Sequence, residues 1–545
     1  MNQLRPNYIL AGVMIAVMVL GIPLSTAANN EPRRVIIGFK DTPGAEHRQL
    51  IESMGGRVLH QYNIIKAIAA EMPNHAVTAL ALSGKVTYVE TEQHRAMEDH
   101  IVIGSLWTGT PEILPWGVER VQADDVWDST PKDLAIDSMS VPAGQGVKVA
   151  VLDSGIQLGH EDLTPISPLS FDLLGMDADV SDIPGPVTGH GTATSGIVAA
   201  RDNEVGVIGV APRATIIMYR VCDSALNSCP DTAIIAALER AVTDGADVVS
   251  MSFGGIGFSI PFKQAIHAAF QAGIVLVASA GNTPIVVAGA RHYPSGFPEV
   301  IAVGATDRNN NLATFSTFGG HQELVAPGVA TPTTALNGQG RDNSLAQNSP
   351  DSHSIPSNPM AFSGLGTLTK KIVFAGLGRA LDFAAVDCTN KIALIARGTI
   401  TFRAKIENAA ADGCLGAIIH NNVAGNFFGT AQVPQAIPAV SISLANGMHL
   451  RTHLLSGDVE VTLSVVSLNY NTFSGTSASA PYVSGVAALV LSANPALTNR
   501  EVRKILRGTA VDLGDPGRDI LFGWGLVNAL GAVQCATGVI TCELP

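Results

Sequence analysis

Three short segments hold the residues on which chemistry could rest. They are Asp153 in Val149-Ala-Val-Leu-Asp-Ser-Gly155, His190 in Gly189-His-Gly-Thr192, and Ser477 in Gly475-Thr-Ser-Ala-Ser-Ala-Pro481. A serine hydroxyl attacks a carbonyl only when a neighbouring base takes its proton. Histidine, with an ordinary pKa near ~6.5, can accept that proton and return it to a leaving group. An aspartate can hold the imidazole in the useful tautomer and stabilise its charged form. Ser477 stands where a helix begins, so backbone N–H groups point toward a reacting carbonyl. A fourth segment, Ala278-Ser-Ala-Gly-Asn282, follows an apolar run and offers a side-chain amide that can donate to a developing oxyanion. Each residue alone also has a structural use: a strand-end turn for Asp153, a core histidine for His190, a helix cap for Ser477, a turn for Asn282. It is the ordered set, framed by glycines that admit close backbone approach, that points to catalysis.

These residues need elements to carry them. From Ile113 onward, strand-like apolar runs alternate with helical stretches. Strands are expected at 147–152, 214–221, 246–252, 274–279 and 299–303, and helices at 192–200, 231–243, 261–272, 478–493 and 499–507. Alternation of this kind implies a parallel sheet covered by helices on both faces, an α/β three-layer domain. Asp153 falls just past a strand's C-terminal end, where open α/β sheets place their ligand sites. Residues 330–360, rich in Thr, Asn, Ser, Gly and Pro, read as loop or linker. Residues 370–468 read as short β-rich runs around one helix, 402–412, so 335–468 is taken as a domain inserted before the Ser477 segment. Upstream, residues 33–97 read as a small α+β unit.

The chain has 545 residues, 46% of them hydrophobic and 14% charged, which suits large cores. Lys and Arg number 33 against 46 Asp and Glu, a formal charge of −13 that argues against nucleic acid or an anionic membrane as partner. Arg5, the apolar run Ile9 to Leu20 and the small residues Ser25 to Ala28 have the layout of a secretory signal peptide. The apolar run is shorter than the ~20 residues that span a bilayer. No other stretch reads as a membrane span, so no stable span is expected after signal removal. Six cysteines fall as near neighbours: Cys222 with Cys229, Cys388 with Cys414, Cys535 with Cys542. Close spacing makes local closure the natural pairing, although sequence alone does not select a connectivity. Metal-ligand cysteine spacing is absent.

The order Asp, His, Ser, together with the Asn282 segment, resembles the subtilisin-like serine proteases (subtilases, peptidase S8 family). That resemblance implies a serine endopeptidase acting on protein or peptide substrates through an acyl-enzyme, with Asp153, His190 and Ser477 as triad and Asn282 as oxyanion donor. It implies that Ser252, Phe253 and Gly254 pair with the substrate strand and line its pocket. Residues 29–105, placed between a signal peptide (1–28) and a protease, resemble the family's propeptide, an intramolecular inhibitor removed by self-cleavage; the exposed stretch Asp99 to Pro111 suits the cut. The catalytic domain is then 106–334 with 469–534, followed by a tail, 535–545. Residues 396–422 resemble a protease-associated (PA) domain, so the insertion 335–468 is read as PA-like. The family's calcium segments match His160 to Leu163 and Arg201 to Val207. Asp162, Asn203 and Glu112 would supply side-chain oxygens, and Arg201, Val205 and Val207 backbone carbonyls, to a hard ion that takes six to eight of them. Where many relatives carry a second histidine and a methionine beside the reacting residues, this chain has Ala193 and Ala478, less bulk near the site. The expected product is a secreted monomer, periplasmic if the cell has an outer membrane. A binding protein on a dead protease scaffold is the competing reading, and the intact four-residue set argues against it. An esterase or lipase predicts Gly-x-Ser-x-Gly and the order Ser, Asp, His, which this chain lacks.

Overall fold

The computed structural model describes residues 31–97, 112–128, 135–163, 165–182, 189–284 and 291–542. The expected signal segment, 1–28, and the whole of the expected cleavage stretch, 99–111, lie outside them.

The central sheet has seven parallel strands, in the spatial order Leu324–Pro327, Val300–Thr306, Val275–Ser279, Val248–Met251, Lys148–Asp153, Thr215–Arg220 and Phe171–Asp172. Successive side chains on a strand point to opposite faces. Val149, Val151, Val275, Val277, Ile301 and Val303 accordingly pack with Thr476–Ala493 and His190–Ala199 on one face. Ala150, Leu152, Val249, Met251, Leu276 and Ala278 pack with Asp231–Thr243 and Ile260–Gln271 on the other. This is the three-layer α/β architecture expected. Burial on both faces is why these strands read as near-continuous apolar runs.

Residues 33–91 form a four-stranded sheet, ordered Arg57–Gln61, Ala67–Met72, Arg33–Gly38, Tyr88–Thr91, with helices Ala45–Ser53 and Asn74–Leu82. One face keeps its own core. The other, through Ile36, Tyr62, Ile65 and Ala67, joins the core under helices 231–243 and 260–271. Tyr62 Oη donates to the Thr232 carbonyl at 3.1 Å and the Asn63 N–H to Glu239 at 2.9 Å, on the first helix, and Tyr88 Oη donates to Gln264 at 2.9 Å, on the second, so this unit docks on both helices.

The insertion leaves and re-enters the catalytic domain through paired strands, Thr331–Thr334 with Tyr470–Phe473. Its eight-stranded sheet runs His353–Ser354, Gly340–Ser349, Glu460–Leu468, Gly366–Phe374, Ile392–Ala396, Gly416–His420, Ala439–Ile442, Ser357–Pro359. Two expectations are corrected here. Residues 330–360 are not a linker but hold four strands. Gly340–Ser349 is polar along most of its length and becomes a strand by pairing with Glu460–Leu468; tertiary pairing overrides weak local preference. A second long helix, Leu444–Ser456, accompanies Phe402–Ala411; Ser443 caps it by accepting from the Asn446 N–H at 3.1 Å, offsetting the Asn and Gly in its first turns.

All six cysteines are joined as the local pairs expected: 222–229, 388–414 and 535–542.

Candidate active site

Asp153 is the last residue of the strand Lys148–Asp153. Its Oδ1 accepts from the Ser154 N–H and lies 2.7 Å from His190 Nδ1, while Thr194 Oγ1 donates to Oδ2 at 3.3 Å. The Asp153 carbonyl accepts from Val221 and Cys222, which fixes the backbone beneath the side chain. A carboxylate only accepts, so His190 carries its proton on Nδ1 and leaves the Nε2 lone pair for a substrate-side proton. His190 is the first residue of the helix His190–Ala199, which begins two residues earlier than the expected 192. The two segments meet because Gly191 has no side chain: a Cβ there would fall 2.2 Å from the Gly155 carbonyl oxygen. Phe473 stands edge-on to the imidazole, with centroids 5.4 Å apart.

Ser477 is the second residue of Thr476–Ala493, and its Oγ is buried without a hydrogen-bond partner among the described residues. A Cβ at Gly475 would fall 2.9 Å from Ser477 Oγ and 3.1 Å from Asn282 Nδ2, so both atoms border one small space that only glycine leaves open. The backbone there (φ +149°) also favours glycine. Thr476 orients the amide: its N–H and Oγ1 donate to Asn282 Oδ1 at 2.8 and 2.9 Å, turning Nδ2 toward that space. Pro481 has no N–H for the Ser477 carbonyl four residues back. Ser252 Oγ donates to that carbonyl instead, at 3.0 Å. The Ser252 hydroxyl therefore supports the backbone of Ser477.

Beside Ser252, Phe253–Gly254 is an edge strand that already has a partner. His94–Met97 pairs with it antiparallel, Phe253 opposite Met97 and Gly254 opposite Ala96. On its other side the same segment pairs with Cys229–Pro230. Phe253 is fully buried in the cluster that holds Met97 and Phe262.

The candidate calcium residues also converge. The Asn203 N–H donates to Glu112 Oε1 at 3.2 Å, Asn203 Nδ2 to Asp162 Oδ1 at 3.0 Å, and the Val207 N–H to Asp162 Oδ2 at 3.0 Å. Arg201 N–H donates to the Asp162 carbonyl at 3.1 Å, and Asn203 Oδ1 accepts from Val205 N–H at 3.1 Å. Burial pushes both carboxyls up to about 7, and for Glu112 the charges of Asp202, Asp162 and Glu204 add to it. Crowded, buried carboxylates of this kind fit a hard dication.

Ala193 and Ala478 both lie in the core cluster behind the site. Several participants escaped the sequence reading: Thr194 on Asp153, Thr476 on Asn282, and the strand 94–97 in the cleft. Thr476 lies inside the Gly475–Pro481 segment and Thr194 two residues past Thr192, but a threonine's partner is invisible until the chain folds. Another is Asp182, buried and pushed up to about 7, first by burial and then by the charge of Asp153; it accepts from Thr192 Oγ1 at 3.1 Å.

Comparison with known proteins agrees with this geometry. The subtilase family profile matches residues 144–357 and 440–525, and the PA domain profile matches 365–450, which fills most of the gap left by the first and overlaps it at 440–450. The chain is 33% identical to subtilisin E of Bacillus subtilis over 314 residues, 56% of this chain and 74% of that one. It is 30% identical to alkaline elastase YaB of Bacillus sp. over 348 residues, 61% and 82% of the two chains. The crystal structure of the psychrophilic subtilisin-like protease Apa1 from Pseudoalteromonas sp. AS-11 superposes with a TM-score of 0.55 at 26% identity, covering 78% of this chain and 99% of that one. Fervidolysin from Fervidobacterium pennivorans shares the fold, with a TM-score of 0.58 at 22% identity over 93% of this chain and 61% of that one. With the family profile spanning more than half its length, the chain belongs to the subtilase family and is a subtilisin-like serine endopeptidase carrying an inserted PA domain.

Proposed function

We propose that the chain is made as an exported precursor, cuts itself free of residues 29–105, and then works outside the cytoplasm as a monomeric endopeptidase. The observation that supports this most is the strand His94–Met97. It lies between Phe253–Gly254 and Cys229–Pro230 as an extended peptide substrate would, held by main-chain pairing. Its last residue, Met97, pairs with Phe253, the neighbour of Ser252, whose hydroxyl donates to the Ser477 carbonyl. Three disulfides and the N-terminal apolar run fit an oxidising compartment: the extracellular medium, or a periplasm.

In the reaction, Ser477 Oγ adds to the substrate carbonyl as His190 Nε2 takes its proton. Asp153 holds the imidazolium through Nδ1. Asn282 Nδ2 and the Ser477 N–H donate to the tetrahedral oxyanion, whose charge is their selective target. Collapse expels the amine, which receives the proton from His190 Nε2, and leaves the acyl-enzyme; water, deprotonated by the same nitrogen, repeats the sequence and frees Ser477. Backbone of Phe253 and Gly254 holds the substrate strand in register. Glu112, Asp162 and Asn203, with the carbonyls of Arg201, Val205 and Val207, would hold a structural calcium ion that neutralises the buried acids.

Intact mass and N-terminal sequencing of secreted wild type and Ser477→Ala test this. Wild type should begin between about residue 98 and 112, and the variant should retain the upstream unit. Equal masses for the two proteins would overturn self-processing.

A further inference from the structure

The strand in the cleft carries one side chain that its apolar surroundings do not explain. Arg95 is 2% exposed. Its Nε and Nη2 donate to Asp231 Oδ1 and Oδ2 at 2.8 and 2.9 Å. Its Nη1 donates to the Gly257 carbonyl, and the guanidinium stands 5.4 Å from the centre of the Phe262 ring. Asp231 is itself fully buried, at the first position of the helix Asp231–Thr243, where the helix end favours a negative charge. Asp231, Gly257 and Phe262 all belong to the part of the chain that stays when residues 29–105 leave. Departure of that unit would then leave a sunken carboxylate facing an open slot.

We propose that Asp231, the Gly257 carbonyl and Phe262 form a subsite that selects an arginine side chain in the substrates of the mature enzyme. The inference rests on the reading that residues 94–97 lie in the cleft as a substrate does. A planar guanidinium offers two parallel N–H donors to a carboxylate and stacks on an aromatic face, whereas lysine offers a point charge and leucine leaves the carboxylate unpaired. Register fixes the position. Met97 pairs with Phe253, and the adjoining Ser252 reaches the Ser477 carbonyl with its hydroxyl, so Arg95, two residues before Met97, corresponds to a substrate position three or four residues before the bond attacked.

The test is digestion of a mixed peptide library by processed wild-type enzyme, with cut sites mapped by mass spectrometry. Arginine should be enriched at one fixed position, three or four residues before the cut. In a matched pair of peptides, replacing that arginine by citrulline, which keeps the shape and removes the charge, should lower kcat/KM about ten-fold or more. Asp231→Asn should cut the arginine-to-leucine preference ratio by a similar factor. Cleavage without arginine preference, and without loss on citrulline, overturns the subsite and leaves the protease standing. Absence of any cleavage that Ser477→Ala does not share would overturn the reading beneath it as well.

An independent observation lies in the inserted domain. His449 and His453 stand one turn apart on the helix Leu444–Ser456 with ring centroids 4.3 Å apart, and Asp351 joins them so that one ligand atom from each lies within 4.8 Å of the others. His353 Nδ1 is 3.3 Å from Asp351 Oδ2, and its ring is 5.3 Å from that of His449. Buried Gln347 steadies Asp351 by donating to its carbonyl at 3.1 Å. We infer a second metal site here, for Zn²⁺ or a similar borderline ion, because imidazole nitrogens with one carboxylate suit such ions and histidines at i and i+4 present one face. Zn²⁺ titration of metal-stripped full-length protein, with calcium kept saturating, should show about one equivalent bound. A His449→Ala/His453→Ala variant with an unchanged far-UV spectrum should lose it. Equal zinc binding by variant and wild type, or none by wild type, overturns the site.

Discussion

In the catalytic domain and in the insertion alike, a run of parallel strands ends beside a fully buried polar side chain, and the two places treat it differently. Lys405, on the inserted domain's helix Phe402–Ala411, donates to the carbonyls of Leu377, Ala396 and Gly398. Three donors meet three acceptors, and burial presses the amine down to about 8. Ser477 is just as buried, yet its Oγ has no partner, and the nearest amide is turned toward the same small space by Thr476. A saturated polar group builds structure, because leaving it unpaired costs more than pairing it gains. A group left unpaired by neighbours that are themselves fixed is positioned for a reaction.

That contrast can be broken from either side. Asn282→Ala removes the donor aimed at the open space; kcat on a peptide substrate should fall by about 10²–10³, with KM little changed, a magnitude measured in subtilisin, a relative of this chain. Equal losses in binding and turnover would assign Asn282 a packing role. Chelation of calcium should lower stability toward unfolding by about 3 kcal/mol if the ion had been present at a hundred times its Kd, and lower Tm accordingly. A Tm unmoved by chelator and by added calcium would separate the acid cluster around Asp162 from metal binding. Lys405→Met deletes the saturated cation and strands three carbonyls; it should destabilise the insertion by about 1–3 kcal/mol, read by hydrogen exchange in 377–411. Cleavage of a small peptide should stay within two-fold, because Lys405 lies in the other core. The last prediction concerns the pH dependence set by Asp182. Its folded-state pKa of about 7 exceeds the ordinary ~3.9 of an unfolded aspartate, so the folded form holds the proton more tightly. Its contribution is present below about pH 4 and is lost as pH rises toward 7. Asp182→Asn should therefore flatten the fall of Tm between pH 4 and 7, and a profile parallel to wild type would show that burial does not hold this carboxyl above the ordinary range.

Legibility followed the source of each element's stability. The central strands were readable because burial on both faces demands a continuous apolar run. Gly340–Ser349 was not, since its strand character comes from a partner more than a hundred residues away. Helix Leu444–Ser456 was missed because an Asn and a Gly in its first turns hide its periodicity, although Ser443 was a readable cap. At the site, residue type and order named the reacting groups, while the residues that aim them, Thr194, Thr476 and Ser252, look like any other hydroxyls in the sequence.

Glycine-framed Asp, His, Asn and Ser in a fixed order were enough for the sequence alone to state the family and its reaction, because acyl transfer needs that chemistry in close quarters. Only the tertiary structure decided that Ser252 supports the carbonyl Pro481 leaves unbonded, that residues 94–97 fill the cleft, and that Arg95 meets Asp231. Those are pairings between segments 134 to 225 residues apart, and neither partner's local sequence says which distant group will satisfy its hydrogen bonds.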